Sequence, residues 1–70
     1  MKNLLTQREQ EVLTYLTKGY TNKEIADILS VTSHTIKAHI SAILNKFKCK
    51  NRTDAALFAE RNNLTIHLQD

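Results

Sequence analysis

Few side chains in this sequence could carry covalent chemistry. The three histidines, His34, His39 and His67, are scattered, and the one cysteine, Cys49, has no second thiol to pair with. Neither set reproduces the ligand spacing of a zinc site. Cys49 sits between Lys48 and Lys50, an arrangement that could lower a thiol pKa. A single Gly rules out a glycine-rich phosphate cradle, and no nucleophile–base pair or paired acids stand out. These absences argue against an enzyme, and no cofactor is expected.

Charge gives a different chemistry. The net charge is only +3, yet no acid occurs between Asp27 and Asp54. That stretch holds Lys37, Lys46, Lys48, Lys50 and Arg52, while the segments on either side hold as many acids as bases or more. A one-signed region of this kind attracts polyanions, nucleic acid first among them, although a solvated basic face is the plainer reading. Close to Lys37 lie short polar groups and one methyl: Ser33, His34, Ala38, Ser41 and Asn45. Such a set could approach base edges without steric conflict.

The elements that must position these residues are helices. Seventy residues with 41% hydrophobic content form one domain with one modest core. With no Pro and one Gly, turns are short and a multi-stranded sheet is disfavoured. The spacing predicts a helix over 6–18, opened by the capping box Thr6-Gln7-Arg8-Glu9 and closed by Lys18-Gly19. Thr21 and Glu24 repeat the box for a second helix over 22–30. Thr32 caps a third, over 33–47, whose apolar stripe is Ile36, Ile40, Ile43, Leu44 and Phe47. A fourth covers 52–62, with Leu57 and Phe58 expected inward. The tail from Leu64 to Asp70 has no clear period and reads as loop or a frayed turn. His39 is expected to be packed and hydrogen-bonded. Arg8, Glu9, Glu11 and Arg52 could pair between the first and fourth helices, or remain ordinary surface charges.

A short helix, a three-residue turn and a longer helix form the helix-turn-helix pattern. Ala26 is small where the two helices would cross, Val31 fills the turn, and Ile36 locks the second helix onto the first. The turn often contains Gly, and here has Ser30. Such a second helix can insert its N-terminal half into the major groove.

Four motifs then occur in order: Leu5-Thr6-x-Arg8-Glu9-x-Glu11-Val12-Leu13, Gly19-Tyr20-Thr21-Asn22-Lys23-Glu24-Ile25-Ala26, Thr35-Ile36-Lys37-Ala38-His39-Ile40 and Lys50-Asn51-Arg52-Thr53-x-Ala55. Together they resemble the LuxR-type (GerE- or NarL-type) helix-turn-helix domain over roughly residues 4–59. The resemblance implies an all-α, four-helix fold and sequence-specific duplex DNA binding in transcription control. The third helix would occupy the major groove and the fourth would dimerise. By position, Lys37 corresponds to the family's base- and phosphate-contacting lysine, and Ala38 and Ser41 to its variable base-reading positions. Lys23, Thr32, Ser33 and Thr35 correspond to backbone-phosphate contacts. His34 and Asn45 complete the expected DNA-binding face. Many members carry a bulkier apolar residue at 38 and a longer polar one at 41, so the target sequence stays open.

Ala55, Ala56, Ala59 and Asn62 are the expected dimer contacts, since small residues let two helices approach closely. The expected partners are duplex DNA, as an inverted repeat, a second copy in a weak homodimer, and RNA polymerase. No stretch has the roughly 18 consecutive apolar residues of a membrane span, and a lone cysteine fits a reducing cytoplasm. Met1 directly before the first helix fits either a stand-alone regulator or an excised effector domain. Two rival readings remain. An adaptor that no longer binds DNA should carry acids or bulky apolar residues on the outward face of 33–45. A sigma-factor promoter-reading domain should end near its recognition helix, whereas about 20 residues follow here.

Overall fold

Side-chain oxygens set where each helix starts. In the computed structural model, which describes residues 4–68, α1 spans Gln7–Thr17, α2 Asn22–Leu29, α3 Ser33–Phe47 and α4 Arg52–Arg61. Among the described residues there is no strand, so the all-α, four-helix fold is the observed one. Thr6 accepts from the Glu9 N–H at 3.1 Å while Glu9 accepts from the Thr6 N–H at 3.0 Å. Thr21 and Glu24 form the same reciprocal box at 3.1 and 2.8 Å. Thr32 caps α3 through the Thr35 N–H, and Asn51 caps α4 through the Asp54 N–H. Each cap satisfies an N–H that has no partner within its own helix.

The four helices also end alike. A residue with positive φ follows the last regular turn in each: Gly19 at 89°, Ser30 at 58°, Lys48 at 55° and Asn63 at 54°. The next N–H then reaches back to a carbonyl five residues earlier, as in Val31 to Ala26 and Cys49 to Leu44, both at 2.9 Å. This is the Schellman closure. Only one of the four positions is Gly. At Ser30 and Lys48 a side chain is held in a conformation that costs roughly 1–2 kcal/mol, offset by the backbone closures to Ala26 and Leu44.

Val12, Leu13, Ile25, Ile36 and Ile43 lie at the centre of one core, each essentially inaccessible. α2 packs on α3, and α1 braces both α3 and α4. Ala26 is buried and Val31 packs partly against the core, as the two-helix crossing requires.

Two expectations are overturned in α4. Ala55 and Ala59 were expected to face a second copy, yet they are 1% and 0% exposed within the protomer. Their methyl groups let α4 approach α1 closely. Leu57, expected inward, is 45% exposed; two residues beyond Ala55 is about 200° round the helix. Phe58 is half-buried, its ring centroid 4.9 Å from that of Phe47.

The ion pairs also differ from expectation. Arg8 pairs with Glu11 within α1 at 3.3 Å, while Glu9 pairs with Lys46 of α3 at 2.6 Å. Arg52 donates to Asn22 Oδ1 at 2.7 Å and to the Tyr20 carbonyl at 3.1 Å, joining α4 to the start of α2 rather than to α1. Beyond α4 the tail returns to α1. Leu64 and Leu68 pack against the core, and the Ile66 N–H donates to Thr14 Oγ1 at 3.1 Å. Residues 69 and 70, part of the sequence-predicted tail, lie outside the described residues.

Candidate nucleic-acid interface

The inward and outward sides of α3 are chemically distinct because one helix turn is 3.6 residues. Ile36, Ile40 and Ile43 are buried. His34, Lys37, Ala38, Ser41 and Asn45 are all exposed, and their spacings of three, one, three and four place them on one outward stripe. Ser33 and Thr32 are exposed at the start of the same helix, and Thr35 is half-buried. Lys23 is exposed in the first turn of α2. The nine expected DNA-facing residues therefore occupy the open stripe of α3, its N-terminus and the start of α2. Of the expected dimer contacts, Ala55 and Ala59 are core, Ala56 is half-buried, and Asn62 is exposed with its side chain donating to the Phe58 carbonyl at 2.8 Å.

Thr32 has two tasks in one side chain. Its Oγ1 accepts from the Thr35 N–H at 3.1 Å and lies 3.0 Å from Thr35 Oγ1. This fixes the first turn of α3, where unpaired N–H groups and the positive end of the dipole face outward. Anions are favoured at such an end.

The charge in the acid-free stretch is divided. Lys46 is spent on Glu9 and on the Leu4 carbonyl, and Arg52 on Asn22 and Tyr20. Lys37, Lys48 and Lys50 have exposed side chains with no ion-pair partner among the described residues. Burial raises the Glu9 pKa. The Lys46 hydrogen bond, the Thr6 N–H and the charges of Lys46 and His39 outweigh it, leaving Glu9 below the ordinary carboxylate value.

Cys49 departs from expectation. Burial, reinforced by the Asp54 carboxylate, raises its thiol pKa despite the flanking lysines. It is therefore not an activated nucleophile. His39 is half-buried and makes no side-chain hydrogen bond among the described residues, contrary to expectation; it interacts electrostatically with Glu9. No group of three metal-ligating side chains occurs among the described residues, and no described helix is long and apolar enough to cross a membrane.

Lys48 and Lys50, part of the basic cluster in the sequence, are exposed just past α3, Lys48 as its left-handed C-cap.

Known proteins share this arrangement. The profile described as "Bacterial regulatory proteins, luxR family" matches residues 3–59. The response regulator protein VraR of Staphylococcus aureus (strain Mu3 / ATCC 700698) is 44% identical over 61 residues, covering 87% of this chain and 29% of the relative. VraR of Staphylococcus epidermidis (strain ATCC 35984 / DSM 28319 / BCRC 17069 / CCUG 31568 / BM 3577 / RP62A) matches to the same extent. The chain thus spans under a third of the length of these relatives. Among solved structures, "Structure of Transcription factor, GerE" superposes with a TM-score of 0.84 at 31% identity, covering 93% of this chain and 97% of that one.

Proposed function

The chain belongs to the luxR family of bacterial regulatory proteins, and on that premise we propose that it is a single DNA-binding module of a transcriptional regulator, with α3 lying in the major groove of duplex DNA. The observation that carries this reading is the stripe His34, Lys37, Ala38, Ser41 and Asn45. It is exposed along its whole length and opposite the buried isoleucines. Lys37 would reach the O6 and N7 acceptors of guanine, and the Ala38 methyl would pack on a thymine methyl. Ser41 and Asn45 would add hydrogen bonds further along the groove. Lys23, Thr32, Ser33, Thr35 and His34 would hold backbone phosphates and set the docking angle.

A monomer of this kind covers one half-site, and a two-fold dimer reads an inverted repeat. We propose that α4 supplies the dimer contact through the exposed Leu57, with Ala56 at its edge. The buried Ala55 and Ala59 have no part in it.

Selection of bound duplexes from a random pool, followed by salt titration, tests the reading. If a dimer covers six to eight phosphates, the slope of log K against log salt is roughly −5 to −7. A slope near zero, or no enrichment of any sequence, overturns sequence-specific DNA binding. Absence of any shift with random duplex at low salt favours the adaptor reading.

A further inference from the structure

Among the described residues α4 packs on α1 and α3 but not on α2, yet its first residue reaches α2. Arg52 Nη1 donates to Asn22 Oδ1 at 2.7 Å, and Nη2 donates to the Tyr20 carbonyl at 3.1 Å. The two acceptors flank Thr21, the N-cap of α2, and the exposed Lys23 follows Asn22 directly. We propose that Arg52 is a positioning residue for DNA docking: its two-pronged hold on residues 20 and 22 fixes where Lys23 meets the phosphate backbone. The proposal rests on the DNA-binding reading above.

Both acceptors are neutral, and among the described residues no carboxylate pairs with Arg52. Charge neutralisation therefore does not account for a guanidinium here, whereas geometry does. Its N–H groups form a rigid planar fork that meets two fixed acceptors at once, unlike an ammonium on a flexible stem. The start of α2 has little else to orient it. The Thr21–Glu24 box lies within α2, so it shapes the helix end without fixing its direction. Ile25 and Ala26, the buried residues of α2, lie a turn further on. The Tyr20 N–H donates to the Tyr15 carbonyl at 3.2 Å, and the two rings meet edge to face with centroids 5.3 Å apart. The turn is thus held from α1 and from α4 at once. A lysine side chain samples many positions, and ordering the backbone beneath it before DNA arrives lowers the entropic cost of the contact.

Arg52→Lys keeps the charge and removes the fork. It should lower affinity for specific and random half-site duplexes alike, with a salt slope shallower by up to about 0.9, the share of one phosphate, or roughly fivefold in Kd at about 0.15 M salt. Lys23→Ala should show the full loss. In the double variant, Arg52→Lys should add nothing to Lys23→Ala, because the position it sets is no longer used. Asn22→Ala removes one acceptor and leaves Arg52 in place. Measured in the same two backgrounds it should behave alike, and it decides the matter if Arg52→Lys fails to fold. Additive losses, expected if Arg52 only stabilises the fold or touches DNA itself, overturn the proposal while leaving DNA binding standing. Wild-type affinity in both Arg52→Lys and Asn22→Ala, or in Lys23→Ala, does the same. Wild-type protein that binds no duplex overturns both readings.

Discussion

Lys46 Nζ lies 2.6 Å from Glu9 Oε1, and the same oxygen accepts the Thr6 N–H at 3.0 Å. One carboxylate therefore caps α1 and anchors the C-terminal half of α3 to it. Glu9 is buried and Lys46 only partly exposed, so the pair is shielded from salt more than a surface pair would be.

The pH dependence follows from the lowered Glu9 pKa. Its contribution to stability is complete above the unfolded carboxylate pKa and is lost as the pH falls through the lower folded value. Glu9→Gln should cost about 1–2 kcal/mol near neutrality and flatten the acid limb of the stability curve. Thermal melts of both proteins from neutral pH into the acid range check this. Parallel curves would show that another carboxylate governs acid stability.

Lys37→Ala should weaken specific DNA binding by about 1–3 kcal/mol with the melting temperature barely changed. Equal loss on specific and random duplexes would make Lys37 a phosphate contact. Wild-type affinity on both would remove it from the interface.

Thr14→Val tests the return of the tail. Thr14 Oγ1 donates to the Gln10 carbonyl at 2.8 Å and accepts from Ile66. Replacing it with a group of the same shape leaves the Ile66 N–H without its partner, at a cost of about 1–2 kcal/mol. Amide exchange at Ile66 should accelerate sharply in the variant. Full exchange at the unprotected rate in the wild type would mean that the tail is not docked in solution.

Two substitutions separate the faces of α4. Leu57→Glu should leave the fold intact and abolish cooperative binding to a two-site duplex, with half-site binding preserved. Ala59→Glu should unfold the domain, because a buried unpaired carboxylate costs about 3 kcal/mol or more. Cooperative binding by Leu57→Glu would place the dimer contact elsewhere.

The contrast between these two residues shows what the sequence could and could not reveal. Thr6, Thr21, Thr32 and Asn51 are local signals: each hydrogen-bonds within three residues, so the helix starts were legible. The outward stripe of α3 was legible too, since five strong apolar residues fixed its opposite face. In α4 the small Ala55 and Ala59 look like surface or interface when size alone is considered. Only the approach of α1 makes a methyl group the right core residue there. Lys46 and Lys48 are two residues apart and identical in kind, yet one is held in an ion pair and the other has none among the described residues. The difference lies in Glu9, 37 residues away. Likewise the tail bonds to Thr14 across 52 residues and leaves no period to detect.

The division of α3 into a buried side and an open side bears on how such a module diverges. Ile36, Ile40 and Ile43 are buried in the core, while Lys37, Ala38 and Ser41 are exposed. Surface substitutions away from special features usually change stability by less than about 0.5 kcal/mol. On the docking proposed above, a duplicated copy could exchange one operator for another through one or two outward replacements, with every intermediate still folded. Ala38 and Ser41 are small and exposed, and Ser41 borders an open groove, so enlarging either is expected to change stability little.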